Sequence, residues 1–310
     1  EIGNAYTVTV TDASVAASAL KTLNSKTTGV VTVQGTTITG TVADINTAYT
    51  SNAAGTITGL GNEDLIVNDS SIEASLLNSL DANTTGTIDT SSITTLSGTA
   101  YEINSVYASS GISGLGNEAI TITDSVTVAQ ANAVNALTTE VVTGTISTGD
   151  MATLAGLTET GNAYTVTVTD ASVAAAALNT LNAKTTGVVT VQAATITGTA
   201  ADINTAYASI AAGTITGLGN EAVTLSDTGT IAAAILLTLD ALTTGMVNAA
   251  AVTTITGTAA DINTVYASSG ISGLGNEAIT ITDAVTLAQA NAVNALTTEV
   301  VTGTISTGDM

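Results

Sequence analysis

Two stretches of this chain recur letter for letter. Gly3–Ala17, GNAYTVTVTDASVAA, returns as Gly161–Ala175, and Ala129–Met151 returns as Ala288–Met310. The offset is 158 in the first case and 159 in the second, because one residue is inserted near Gly229. A chain made of two copies of one long segment must solve its folding problem the same way twice, so repeat architectures come first among its options.

A shorter period lies inside the long one. The pair Gly-Asn stands at Gly3-Asn4, Gly61-Asn62, Gly116-Asn117, Gly161-Asn162, Gly219-Asn220 and Gly275-Asn276. These pairs divide the chain into a first long repeat, 1–160, with units 3–60, 61–115 and 116–160, and a second, 161–310, with units 161–218, 219–274 and 275–310. Each unit alternates twice between a strand pattern and a helix pattern, which gives coils of about 26 residues, a solenoid length.

The local signals repeat with the coils. Tyr6–Asp12 alternates Thr with Val, as a strand with one apolar face does. Asp12 then stands where a helix N-cap belongs, followed by the apolar stripe Val15, Ala16, Ala19, Leu20 and Leu23, and the turn Thr27-Thr28-Gly29 closes the segment. Asp69, Asp124, Asp170, Asp227 and Asp283 hold the same place. In the second half-unit, Thr37-Ile38-Thr39 leads through Gly40 to Thr41 and Asp44, a capping-box spacing. It returns at Thr99/Glu102, Ser147/Asp150, Thr199/Asp202 and Thr258/Asp261, with Ile45, Ala48 and Tyr49 sharing the helix face behind it.

These patterns predict an α/β solenoid: right-handed stacked coils, each with parallel strand segments and one short helix, forming one continuous array. An all-β solenoid is the alternative. Parallel strand-helix-strand crossovers are nearly always right-handed, and no coil can bury its apolar face alone. About twelve coils at the strand spacing would extend about 55 Å. Helices need roughly 8 to 10 Å between axes, so a curved or twisted stack is expected unless the helices stagger. Neither end carries a distinctive cap, and the chain is expected to be a window on a longer array.

Composition then removes most chemistry. Thr fills 65 positions, while Pro, Cys, His, Trp and Phe are absent and the basic residues are Lys21, Lys26 and Lys184 alone. Histidine acid/base work, thiol nucleophiles, Cys/His metal sites and Arg clamps have no residues to carry them. No enzyme is expected. A formal net charge of −22 opposes nucleic acid and anionic membrane surfaces, and it suits an extracellular saline setting where screening relieves self-repulsion. The longest apolar run, Ile231–Leu237, is far short of the roughly 20 residues a bilayer requires.

Carboxylates, threonines and tyrosines remain. The aspartates are expected to cap helices, and no catalytic, cofactor-binding or metal residue is assigned. No cofactor is required. The loops Gly61-Asn62-Glu63-Asp64, Gly116-Asn117-Glu118, Gly219-Asn220-Glu221 and Gly275-Asn276-Glu277 offer hard oxygens to Ca²⁺, although Gly and Asn there also fit a turn with positive φ. Thr-x-Thr doublets such as Thr37/Thr39, Thr195/Thr197, Thr254/Thr256 and Thr280/Thr282 would resemble an ice-binding face if they stacked flat; Thr is otherwise a good solvent-facing strand residue. Tyr49, Tyr107, Tyr207 and Tyr266 occupy equivalent helix positions and are expected in the core.

The phrases TLNAKTTGVVTV (180–191), TITGTAADINTAYAS (195–209) and GISGLGNEAITITD (270–283) resemble repeats of giant secreted surface and adhesin-type proteins of marine bacteria, cyanobacteria in particular. That resemblance covers essentially the whole chain. It implies export and a cell-surface location, and it carries over no functional residue. The expectation is a structural extracellular protein that self-associates into a filament, sheath or surface layer. The alternatives are a stalk that projects an adhesin's binding domain and an ice-binding solenoid.

Overall fold

The structure is a computed structural model and describes residues 4–306. The chain divides into two compact units, Glu1–Ile146 with Asn162–Tyr164, and Ser147–Gly161 with Thr165–Met310. Each is an α/β solenoid whose strands pair in parallel with those of adjacent coils.

The first unit holds three parallel ladders. One joins Val8–Val10, Val31–Val33 and Ile57–Thr58. The next joins Ser14–Ala16, Thr37–Gly40, Asp64–Val67, Ile88–Asp89 and Ile112–Ser113. The last joins Ser71–Glu73, Thr95–Gly98, Ala119–Val126 and Val142–Ile146. Helices α1 (Ala17–Lys26), α2 (Val42–Ala53), α3 (Ala74–Asp81), α4 (Ala100–Ala108) and α5 (Val128–Asn135) follow these strands.

The second unit repeats the plan. Val189–Val191 pairs with Val166–Val168 and with Ile215–Thr216. Ser172–Ala174, Thr195–Gly198, Ala222–Leu225, Val247–Asn248 and Ile271–Ser272 form the second ladder. Thr230–Ala232, Thr254–Gly257, Ala278–Val285 and Val301–Ile305 form the third. Its helices are α6 (Met151–Leu154), α7 (Ala175–Asn182), α8 (Ala200–Ala211), α9 (Ala233–Leu242), α10 (Ala259–Ala267) and α11 (Leu287–Asn294).

Residues paired in the strands lie between 20 positions apart, Val126 to Ile146, and 27 apart, Thr37 to Asp64. The core follows directly from that register. Val15, Ile38, Leu65 and Ile88 stack through consecutive pairings and are all buried. Each such aliphatic side chain contributes about 1.5 to 3 kcal/mol on burial. On the helix side Ile45, Ala48 and Tyr49 are buried, the shared face that their spacing implies.

One expected boundary is corrected. The stripe beginning at Val15 reads as helix, yet Ser14–Ala16 is a strand paired with Thr37–Thr39, and α1 starts at Ala17 with Ala17 and Leu20 as its buried residues. The neighbouring coil supplies backbone partners that a solitary helix turn would have lacked, so tertiary pairing overrides local propensity.

Glycines permit close approaches between neighbouring coils. A Cβ on Gly98 would stand 3.0 Å from the Ala74 Cβ, so the strand leading into α4 approaches the start of α3 only because both residues are small. At Gly59, φ is +92° and a Cβ would fall 2.2 Å from the Val33 carbonyl oxygen. That site admits no side chain.

Candidate functional site

The Gly-Asn-Glu loops build an elaborate polar feature in which the glutamate turns inward while the Asn stays exposed. Glu63, Glu118, Glu221 and Glu277 are each no more than 2% exposed. Glu63 Oε2 accepts the N–H groups of Gly61 at 2.8 Å and Asn62 at 3.0 Å, while Oε1 accepts the hydroxyl of Tyr49 from α2. Gly116, Asn117 and Tyr107 surround Glu118 in the same way, as Gly219, Asn220 and Tyr207 surround Glu221. At Glu277 the donors are Gly275 at 2.8 Å and Tyr266 at 2.7 Å.

The next coil closes each corner. The hydroxyls of Thr84, Thr138, Thr243 and Thr297 donate to the main-chain carbonyls of these four glutamates at 2.6 to 2.7 Å. Thr84 also accepts the Gly86 N–H at 3.0 Å, and the Thr85 N–H donates to the Gly61 carbonyl at 3.0 Å. Thr84 belongs to a Thr-Thr-Gly turn that sequence reasoning reads only as a helix stop. Recurrence of its Thr-Thr pair 20 to 22 residues after each Gly-Asn-Glu loop was the available signal.

This geometry sets the chemistry. A carboxylate that already accepts two N–H groups and a phenol is a structural anchor, since buried acceptors need such partners. Burial, reinforced by the adjoining glutamates, raises the Tyr49, Tyr207 and Tyr266 hydroxyls well above the ordinary tyrosine range. They stay protonated and can donate. The glutamate oxygens offered above to Ca²⁺ are therefore turned away from solvent and engaged. Asp64, the remaining acid of that loop, is exposed and accepts the Thr87 N–H at 2.7 Å and its hydroxyl at 2.9 Å, which hold its pKa below the usual value. Among the described residues no three carboxylates converge on one point.

The aspartates cap helices, but not those expected. Asp69 does not cap α3, which starts behind Glu73 without a side-chain cap. Its Oδ2 instead accepts the Val42 N–H, the first of α2, at 2.7 Å from 27 residues further on. Asp124, Asp170, Asp227 and Asp283 likewise take the first N–H of α4, α6, α8 and α10, at Ala100, Met151, Ala200 and Ala259, over 2.7 to 2.9 Å. Helices α1, α7 and α9 also lack a side-chain cap. Each continues an extended strand whose backbone is already paired.

Thr41, Thr99, Thr199 and Thr258 do accept the N–H of the acid three residues later, and Thr99 with Glu102 forms a complete capping box. Ser147/Asp150 is corrected: Asp150 is itself the N-cap of α6 and accepts the Thr153 N–H at 2.7 Å. Two boxes were missed, Thr127/Gln130 and Thr286/Gln289, because glutamine serves as well as an acid at that position.

Threonines form single columns. Thr9, Thr32 and Thr58 stack, as do Thr256, Thr280 and Thr302. Their doublets, however, never face each other in the described pairings: Thr37/Thr39 lies between Ser14/Ala16 and Asp64/Ile66, and Thr195/Thr197 between Ser172/Ala174 and Ala222/Thr224. Lys21 and Asp44 make an exposed ion pair at 3.2 Å, of little energetic weight. No helix is long and apolar enough to cross a membrane among the described residues.

No protein-family model, curated protein or solved structure matches this chain.

Proposed function

We propose that this chain is a structural repeat segment of an extracellular protein and works by homotypic association into a filament, sheath or surface layer. One observation carries the reading: near-identical sequence builds two units with the same three parallel ladders. Any surface able to meet its equivalent on another molecule is therefore present more than once, and repeated contacts generate extended assemblies. The polar side chains support the same view, since the corners and caps tie coil to coil. Location outside the cell rests on the net charge, the absence of cysteine and the resemblance to secreted surface repeats.

Negative-stain imaging and sedimentation velocity at marine salt, with and without calcium, test this. Concentration-dependent assemblies of regular width are expected. A monomer under every condition contradicts self-association and leaves a passive stalk as the better reading.

A further inference from the structure

Helix α6 is one turn long, Met151–Leu154, while its neighbour α7 runs for eight residues, Ala175–Asn182. On its far side α7 is tied to α8, where the Asn179 side chain donates to the Asp202 carbonyl at 2.9 Å. On the near side α6 offers only that single turn to pack against. A hollow of 250 Å³ remains in mid-sequence, lined by Met151, Ala155, Ala177, Thr180, Leu181 and Lys184.

The lining is hydrocarbon and thioether apart from one hydroxyl and one ammonium. Leu181 is buried, Met151 is half-buried, and Ala155 and Ala177 are exposed along the opening. An apolar cavity of about 150 Å³ takes a benzene ring, so this one has room for a chain of about eight carbons. Met adapts its shape to such a guest.

Lys184 supplies the polar anchor. It is the one basic residue between positions 147 and 310. Its Nζ donates to the carbonyls of Ala155 at 2.8 Å and Leu157 at 2.5 Å, just past the end of α6. An ammonium has three N–H groups, so these two bonds fix the charge at the hollow and leave a third donor for a guest. Repulsion from the other charges of the chain is screened beyond about 8 Å at physiological salt, and the local cation then decides the sign of the ligand.

We propose that the hollow between α6 and α7 binds a small amphipathic carboxylate, with its hydrocarbon chain against Leu181, Met151 and Ala177 and its head group on Lys184. An apolar wall with one placed charge is the usual plan of a small-molecule site. The site stands independently of homotypic association.

Octanoate and its neutral counterpart octanol are the probes, read by the NMR methyl signals of Met151, Ala155, Ala177 and Leu181. Octanoate is expected to shift these signals saturably and to bind at least about tenfold more tightly than octanol, the size of effect that a hydrogen bond to a charged group supplies. Lys184→Gln should bring octanoate down to the level of octanol. Because Lys184 also holds the end of α6, Ala177→Leu gives a second test: it fills the hollow from an exposed helix position and is expected to abolish binding with the circular dichroism unchanged. No saturable shift up to about 10 mM, a concentration that still reveals millimolar affinity, or undiminished binding in Ala177→Leu, overturns the site. Equal binding of octanol and octanoate overturns the carboxylate assignment.

Discussion

Asp227 caps a helix that began 27 residues before it: its Oδ2 accepts the Ala200 N–H, the first of α8, at 2.8 Å. An ordinary N-cap belongs to its own helix. Here the cap arrives from the following coil, so one hydrogen bond completes a helix start and fastens two coils together. Asp227→Ala is expected to cost about 1 kcal/mol, within the usual range for caps, and Asp227→Asn, which keeps an oxygen acceptor, distinctly less. Urea midpoints would separate the two. Equal losses would remove the hydrogen bond as the cause.

The glutamate corner should be more costly to break. Glu221→Ala strands the N–H groups of Gly219 and Asn220 and the Tyr207 hydroxyl in a buried site, and each orphaned group costs about 1 to 3 kcal/mol. Tyr207→Phe removes one donor and is expected to cost less. The double variant should fall short of the sum, since both changes act on one network. Strict additivity in a double-mutant cycle would show the two side chains to be independent.

Alkaline stability follows from the tyrosines. Tyr164 is pushed up to about 12 by burial, and Tyr49, Tyr207 and Tyr266 are raised further in the same direction, with glutamate neighbours adding to burial. A raised folded-state pKa leaves its stabilisation intact below the unfolded value near 10. Above that pH the unfolded chain loses protons that the folded chain keeps. Stability should then fall by up to about 1.4 kcal/mol per pH unit for each such tyrosine. Phenolate absorbance during a pH titration checks this: the buried tyrosines should ionise only as the chain unfolds. Full ionisation with the fold intact would contradict their burial.

Much of this was legible in the sequence, for a definite reason. Periodicity reports which residues share a face, and Ile45, Ala48 and Tyr49 lie on one buried helix face as their spacing puts them. Partnership across coils leaves no local mark. The spacing of Asp69 to α3 imitates a conventional cap, while its actual partner, Val42, is one coil back. The same blindness hid the strand Ser14–Ala16, whose partner is Thr37–Thr39, and the clamp from Thr84 to the Glu63 carbonyl. Loop glutamates between Gly-Asn and an aliphatic strand look solvent-facing as text. Tyr49, placed 14 residues earlier, turns Glu63 inward.

That inward turn bears on calcium. With the corner carboxylates engaged, the thermal midpoint is expected to shift by less than about 1 °C between EDTA and about 10 mM calcium, a concentration above the weak extracellular range of about 1 mM. A rise of several degrees, as mass action demands of an ion bound to the native state, would place ligands elsewhere on the surface.

Native-state hydrogen exchange at the first amides of α2, α4, α8 and α10 probes most directly whether each coil is completed by the one after it. The Val42, Ala100, Ala200 and Ala259 N–H groups have no partner inside their own helices and are held only by Asp69, Asp124, Asp227 and Asp283. They are expected to exchange at least about 100-fold more slowly than unstructured amides, as part of the cooperative stack. Exchange near the free-peptide rate at these four positions, with the helix interiors still protected, would mean that the coils are not joined in this way.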